Sequence, residues 1–559
     1  MSLVPKAGIH YKWIALSNTT LGVLMAALNG TSLIIALPVI FRGININPLD
    51  PGSFSYLLWI LMGYLLLTAV LVVSLGRLGD MFGRVKMYNM GFVIFTLGAL
   101  GAALTWSHGN MGALELIIFR MVQAVGGAML MANSAAILTD AFPHNQRGMA
   151  LGINQVAALA GSFLGILVGG LIAQFSWRWV FLFNVPIGII GIVWSYLMLK
   201  EIDTFHPARI DWAGNISFAI GLALVLIGIT YGIQPYGHSS MGWSSPFVLS
   251  MILGGLGILA VFILIELRAK EPMFNLGLFR IRAFAAGNIA GLLSAIGRGG
   301  LQFLLIMWLQ GIWLPLHGYA FSVTPLWAGI YILPTTIGFL VAGPLSGFLS
   351  DKFGARPFAT GGMLLAAASF GLMMLLPADF SYPWFAVVLL LDGLAFGMFS
   401  SPNTAGIMNS VPANSRGAAS GMRATFQNIG MPLSIGIFFS LMIVGLSAQV
   451  PSSMYAHLTS VGIPAALASH LANLPPIGYL FAAFLGYNPL KSLLGTNILK
   501  QLPASTVAHL TSKEYFPSII SDPFKHGLVV VLSFAIGACL IAAVASWMRG
   551  GKYVHTEDQ

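Results

Sequence analysis

A chain of 559 residues in which 57% of side chains are hydrophobic and only 8% charged is not an ordinary soluble domain, where about a quarter of residues carry charge. The net charge of +10 does not indicate nucleic acid, because Lys and Arg fall in short segments between apolar runs and no basic stretch is interleaved with aromatics. The single cysteine, Cys539, sits in an apolar run and excludes an intrachain disulfide framework.

A hydrocarbon core about 30 Å thick needs roughly 20 apolar residues per helix. Windows of that size predict about fourteen spans, at 13–40, 55–78, 87–106, 111–138, 149–174, 179–199, 211–233, 246–268, 284–310, 325–349, 358–377, 382–409, 417–446 and 526–548. The expected fold class is therefore all-α and polytopic, in a membrane. The opening MSLVPKAGIHYKW runs straight into the first span, which would act as its own insertion signal with no cleavable leader.

Connecting segments alternate in positive charge. One set carries Arg77, Arg84 and Lys86, Arg147, Lys200 and Arg209, then Arg268, Lys270, Arg280 and Arg282, Lys352 and Arg356, Arg416, and finally Arg549 and Lys552. The opposite set carries only Arg42 and Arg178 among its short members. The positive-inside rule then places both termini in the cytoplasm. The segment 447–525 is expected outside as a long loop. Its amphipathic pieces, such as AALASHLANLPP, either rest on the outer surface, cap a pathway or form a partly ordered loop.

The first span raises a chemical question. LNGTSLIIALP, at 28–38, places Asn29, Gly30, Thr31 and Ser32 near the centre of an apolar run. Such residues either let another helix approach or mark a polar site within the membrane. The chain also repeats itself. RGMALG at 147–152 matches RGAASG at 416–421, an offset of 269, and GRLGDMFGR at 76–84 matches GFLSDKFGA at 347–355, an offset of 271. Two like-oriented six-helix bundles follow, with spans 7 and 8 inserted between them. The expected domains are 1–200, an inserted pair with linkers at 201–283, and 284–559 including the loop 447–525.

In GRLGDMFGRVK, Gly76 and Gly79 allow close approach, Asp80 can accept from a helix N-terminus, and Arg84 with Lys86 holds the turn at the anionic inner surface. With Gly83, and with the copy around Asp351 and Gly354, this segment resembles the signature loop of the major facilitator superfamily. LIIFRMVQAVGGA in span 4 is similar to that superfamily's R-x-x-Q-x-x-G motif, with Arg120 and Gln123 as the matching residues. GSFLGILVGG in span 5 resembles the antiporter motif of drug exporters. WRWVFLFNVPIG, WLQGIWLPL, PLWAGIYILP and SPNTAGIMNSVPANSRGAASG extend the likeness to the fourteen-span drug:proton antiporters over nearly the whole chain outside 447–525.

The resemblance implies a major-facilitator fold of two six-helix bundles plus two inserted helices. It also implies proton-coupled efflux of amphipathic or cationic organic compounds by alternating access across a bacterial cytoplasmic membrane. Two departures bear on coupling. The antiporter motif has proline after Gly165 where this chain has Ile166, and the family's L-D-x-T acid is Asn29, which cannot titrate. Proton transfer must then rest elsewhere. Few carboxylates lie within the spans; Asp392, deep in span 12, and Glu115, near the outer end of span 4, are the candidates. The offset of 269 makes Asp392 the counterpart of Gln123 and Arg298 the counterpart of Asn29. Arg298 and Asp392 are expected to be neighbours, forming an ion pair that a proton could release, with Arg423 a further partner.

Alternatives are an uncoupled facilitator, a lipid or metabolite exporter of the same fold, or a non-transporting membrane receptor or structural protein. No nucleophile–base cluster suggests an enzyme. His10, His144 and His317 lack metal spacing, and G-x-x-x-x-G-K-[ST] is absent, so neither cofactor, metal nor ATP is expected. The implied partners are a small-molecule substrate, protons and the bilayer, without nucleic acid, for a monomeric chain.

Overall fold

The computed structural model describes residues 9–47, 52–143, 146–201, 211–237, 239–269, 272, 274–412, 415–486 and 488–550. Among them no sheet forms, and one isolated bridge pairs Tyr236 with Ser239. Fourteen helices are long and apolar enough to cross a membrane: Tyr11–Gly43, Ser55–Phe82, Arg84–Ala103, Gly109–Ala141, Met149–Ala173, Trp179–Met198, Trp212–Gly232, Pro246–Glu266, Arg282–Leu316, Thr324–Ser350, Ala355–Leu375, Tyr382–Asn409, Ala418–Ser460 and Tyr515–Met548. They are numbered spans 1–14.

The chain divides into two compact units. Spans 1–6 cluster with the first half of span 7 and the second half of span 8, and spans 9–14 cluster with the other halves. In the first unit span 1 lies along span 5 and span 3 along span 4. In the second unit span 9 lies along span 13 and span 11 along span 12, which repeats those pairings, and span 10 lies along span 12.

Small residues create these close approaches. A methyl on Gly161 would strike the Leu24 backbone, one on Gly165 the Leu28 carbonyl and Thr31, and one on Gly169 the backbone of Ser32. Gly393 and Gly397 of span 12 stand in the same relation to Thr335 and Phe339 of span 10. These patterns are therefore helix-packing seams, as their spacing predicts.

The segment 447–525 departs from the loop expected for it. Span 13 continues as helix to Ser460 through Pro451, and span 14 begins at Tyr515. Between them lie short helices at Ala465–Ala472, Pro476–Phe484, Leu490–Leu499 and Ala504–Leu510. Hydropathy falls after Leu446 because these turns are amphipathic, not because the helix stops. Pro464 and Pro503 stand at the N-caps of two of the short helices, where a missing N–H is harmless. The helix Pro476–Phe484 is buried along its length. Its Phe481 ring stacks 5.7 Å from Phe439, and its Phe484 ring sits 5.6 Å from Phe303. It is an inserted element of the second unit.

Candidate functional site

In the first unit the polar run of span 1 splits between two faces. Thr31 donates to the Ser162 carbonyl of span 5 at 2.6 Å, and Ser32 is 1% exposed against Gly169. Both belong to the packing seam. Asn29, also 1% exposed, lies beside Tyr64 of span 2, and its amide nitrogen has no partner.

The Tyr64 ring carries the Arg120 guanidinium 4.2 Å from its centroid, and the Tyr64 hydroxyl donates to the Ala26 carbonyl at 3.4 Å. Arg120 donates to Gln123 Oε1 at 2.9 Å, while its Nε is unpartnered. Asn29, Tyr64, Arg120 and Gln123 thus form a buried polar cluster with hydrogen-bonding capacity left over and no carboxylate. Glu115 is elsewhere. Its carboxylate takes the hydroxyl and, at 3.4 Å, the backbone N–H of Ser107, tying down the loop before span 4.

In the second unit Asp392 is 2% exposed, with one oxygen unpartnered. It lies ten residues into span 12, roughly 15 Å along the helix axis from that span's beginning. Among the described residues the ion pairs are Arg84 with Asp80 and with Asp140, and His317 with Asp379; Arg298 and Asp392 make none. They are close enough to act on each other electrostatically. The Arg298 guanidinium is held instead over the rings of Phe339 and Phe396, at 4.9 and 5.5 Å. Phe396 follows Asp392 by four residues and shares its face of the helix, so ring and carboxylate compete for one cation.

Arg423 is not a partner of Asp392. It donates to Gln427 at 2.7 Å and to Thr404 at 3.4 Å, and Thr404 lies twelve residues, about 18 Å, beyond Asp392 on the same helix.

The loop between spans 2 and 3 is built around Arg84, which bonds Asp80 at 2.8 Å and Asp140 of span 4. The expectation that Asp80 would cap a helix is corrected: Asp80 takes the arginine, and Glu201 accepts from the Val85 N–H at the start of span 3. Gly83 has φ 106° and Gly354, at the matching place in the second half, has φ 86°, a conformation open to glycine. Gly79 packs on the Asn133 side chain, and Gly76 faces Ala132 at ordinary contact distance. The side chain of Asp351 lies outside the described residues.

Sequence reasoning passed over Tyr64, Phe339, Phe396, Asp140 and Glu201. It also passed over a groove of about 660 Å³ lined by Trp13, Ile14, Leu16, Ser17, Thr20 and Ile153. Aromatics inside an apolar helix carry no contrast, and the two carboxylates stand outside any motif. Among the described residues no group of three His, Cys, Asp or Glu could hold a metal ion.

Comparison with known proteins agrees with this geometry. The family model of the Major Facilitator Superfamily matches residues 19–211 and 208–435. The riboflavin transporter RibZ of Clostridioides difficile (strain 630) is 30% identical over 434 residues, covering 77% of this chain and 88% of that protein. The multidrug transporter protein MdtP of Bacillus subtilis (strain 168) is 27% identical over 531 residues, covering 94% and 91%. A crystal structure of a bacterial homologue of the human lysosomal transporter Spinster, inward-facing and unoccupied, matches with a TM-score of 0.58 at 16% identity, over 97% of this chain and 98% of that one; this likeness concerns the fold. With fourteen candidate spans and the family model matching residues 19–211 and 208–435, the chain belongs to the Major Facilitator Superfamily and is a membrane transporter, not an enzyme.

Proposed function

We propose that the chain exports amphipathic or cationic organic compounds from the bacterial cytoplasm by alternating access, in exchange for protons, with Asp392 as the proton carrier. One observation carries the coupling: a carboxylate buried in the middle of a span, with an oxygen unpartnered and the nearby guanidinium engaged by two aromatic rings. A carboxylate within a span is a natural candidate for a proton relay. Protonation would remove its pull on Arg298, and deprotonation would restore it. The efflux direction rests on the drug-exporter motif that GSFLGILVGG in span 5 resembles, and drugs as cargo on the similarity to the multidrug transporter MdtP. Buried Asn29, Tyr64, Arg120 and Gln123 supply the hydrogen bonds and ring face that a substrate needs on the first unit. Both termini are assigned to the cytoplasm on the charge of the connecting segments, and the chain is taken as a monomer.

A second reading is an uncoupled facilitator. It is favoured by Asn29 where the family's acid would stand, by Ile166 after Gly165, and by the relative named as a riboflavin transporter. Proton release from purified protein in weakly buffered detergent solution, on addition of ethidium, separates the two. Coupled export predicts release of up to one proton per binding event, absent in Asp392→Asn. Tight ethidium binding without release from the parent protein would favour the facilitator.

A further inference from the structure

We infer that Glu201 is a positioning residue of the conformational switch, locking the start of span 3, and with it Arg84, to the chain that leaves span 6. The inference rests on the alternating-access reading above. No motif singles out Glu201; the geometry does.

Span 3 begins at Arg84, and its N-cap position, Gly83, has no side chain to cap it. The first N–H groups of a helix need an acceptor, and a negative charge is favoured there. Glu201, 116 positions after Val85, fills that place: its two oxygens lie 3.3 and 3.2 Å from the Val85 nitrogen. Gly83 is constrained twice over. Its φ of 106° suits glycine, and a methyl there would come within 2.9 Å of Glu201 Oε2. The glycine of the signature loop therefore leaves room for a carboxylate that the loop does not itself contain.

The carboxylate's own position is fixed from the other side. The Tyr11 hydroxyl donates to the Lys200 carbonyl at 2.8 Å and accepts from the Lys200 N–H at 3.0 Å. Residues 200–201 are thus pinned between the start of span 1 and the start of span 3. A cavity of about 10 Å³ remains beside Tyr11, Arg84, Ile137, Asp140 and Glu201, about the space of one water-sized probe. Arg84 precedes Val85 directly, so releasing the Val85 amide frees the turn that aims the guanidinium at Asp80 and Asp140. Glu201 acts through that turn and touches no substrate. The chain leading into the inserted spans 7 and 8 is thereby tied to the switch loop.

The test needs no transported substrate. With Cys539→Ser removing the native thiol, a Thr20→Cys reporter in the groove on spans 1 and 5 is labelled with a membrane-impermeant maleimide from the cytoplasmic side of inverted vesicles. Glu201→Ala and Glu201→Gln are each expected to change the labelling rate at least fivefold. Gly83→Ala should do the same, and Gly83→Ala with Glu201→Ala should go no further than either alone. Glu201→Gln, which keeps an acceptor but not the charge, should fall between parent and alanine. A plain helix cap would lower the melting temperature and leave labelling of the folded fraction alone. Unchanged labelling in both Glu201 variants, or effects of Gly83→Ala and Glu201→Ala that multiply, would overturn the assignment. Ethidium efflux by the parent is scored separately, so loss of the export reading alone would show as absent efflux with labelling still responsive.

Discussion

Arg120 in span 4 and Arg298 in span 9 carry guanidiniums that lie over aromatic faces. Arg120 sits 4.2 Å from the Tyr64 centroid, and Arg298 sits over Phe339 and Phe396. A guanidinium is weakly hydrated and stacks well, and a desolvated cation–π contact contributes about 2 kcal/mol. Tyr64→Phe, which keeps the ring and loses only a long hydroxyl bond, should change stability in detergent by less than about 0.5 kcal/mol; Tyr64→Leu should lower it by about 2 kcal/mol. Thermal unfolding of purified protein checks both, and equal losses would show that the hydroxyl rather than the ring matters. Arg120, Gln123, Arg298 and Asp392 were legible in the sequence because a polar residue in an apolar helix stands out. Their aromatic partners were not, since Phe and Tyr look the same whether they face lipid or a cation. Arg298 and Asp392 act on each other electrostatically, as neighbours would, but make no direct ion pair, because the guanidinium lies over Phe339 and Phe396.

At the scale of helices, the small-residue seam of span 5 tells packing from propensity. Gly165→Ala drives a methyl into the Leu28 carbonyl and Thr31 and should destabilise by about 1–3 kcal/mol. Gly152→Ala, also in span 5, meets nothing within 4 Å and should stabilise by up to about 1 kcal/mol through helix propensity. Opposite signs in one unfolding assay are the expected outcome.

Lys525 makes a second case. The hydropathy windows place it in the 447–525 loop, yet it lies in span 14 and donates to the carbonyls of Met373 at 3.3 Å, Met374 at 2.8 Å and Leu376. A cation at the end of span 11 satisfies carbonyls that no later turn can reach. Lys525→Met should therefore lower stability by about 1–3 kcal/mol, and an unchanged melting curve would contradict the cap. The signal was hidden because amphipathic turns before residue 526 lower the hydropathy that marks a span. The same effect concealed the continuation of span 13 to Ser460.

At the scale of the molecule, the repeat with an offset of 269 returns as matched contacts. Ser134 of span 4 donates to the Thr19 carbonyl of span 1 at 3.5 Å, and its counterpart Asn403 of span 12 donates at 3.1 Å to the Gly287 carbonyl of span 9, one residue before the counterpart of Thr19. Motif, hydropathy and repeat thus sufficed for the superfamily and the span count, because these rest on periodic patterns. Pairing across more than a hundred residues, as between Glu201 and Val85, leaves no local trace.

The two halves differ in chemistry at their matched central positions: a neutral amide, Gln123, in one and a buried carboxylate, Asp392, in the other. That asymmetry is the basis for placing the proton step in the second unit. Its most direct test is ethidium transport driven by an imposed pH gradient in proteoliposomes, with parent and Asp392→Asn compared at equal folded protein. The account predicts at least a tenfold loss of gradient-driven transport in the variant, with ethidium exchange at equal pH on both sides retained. Gradient-driven transport by Asp392→Asn within twofold of the parent would contradict it.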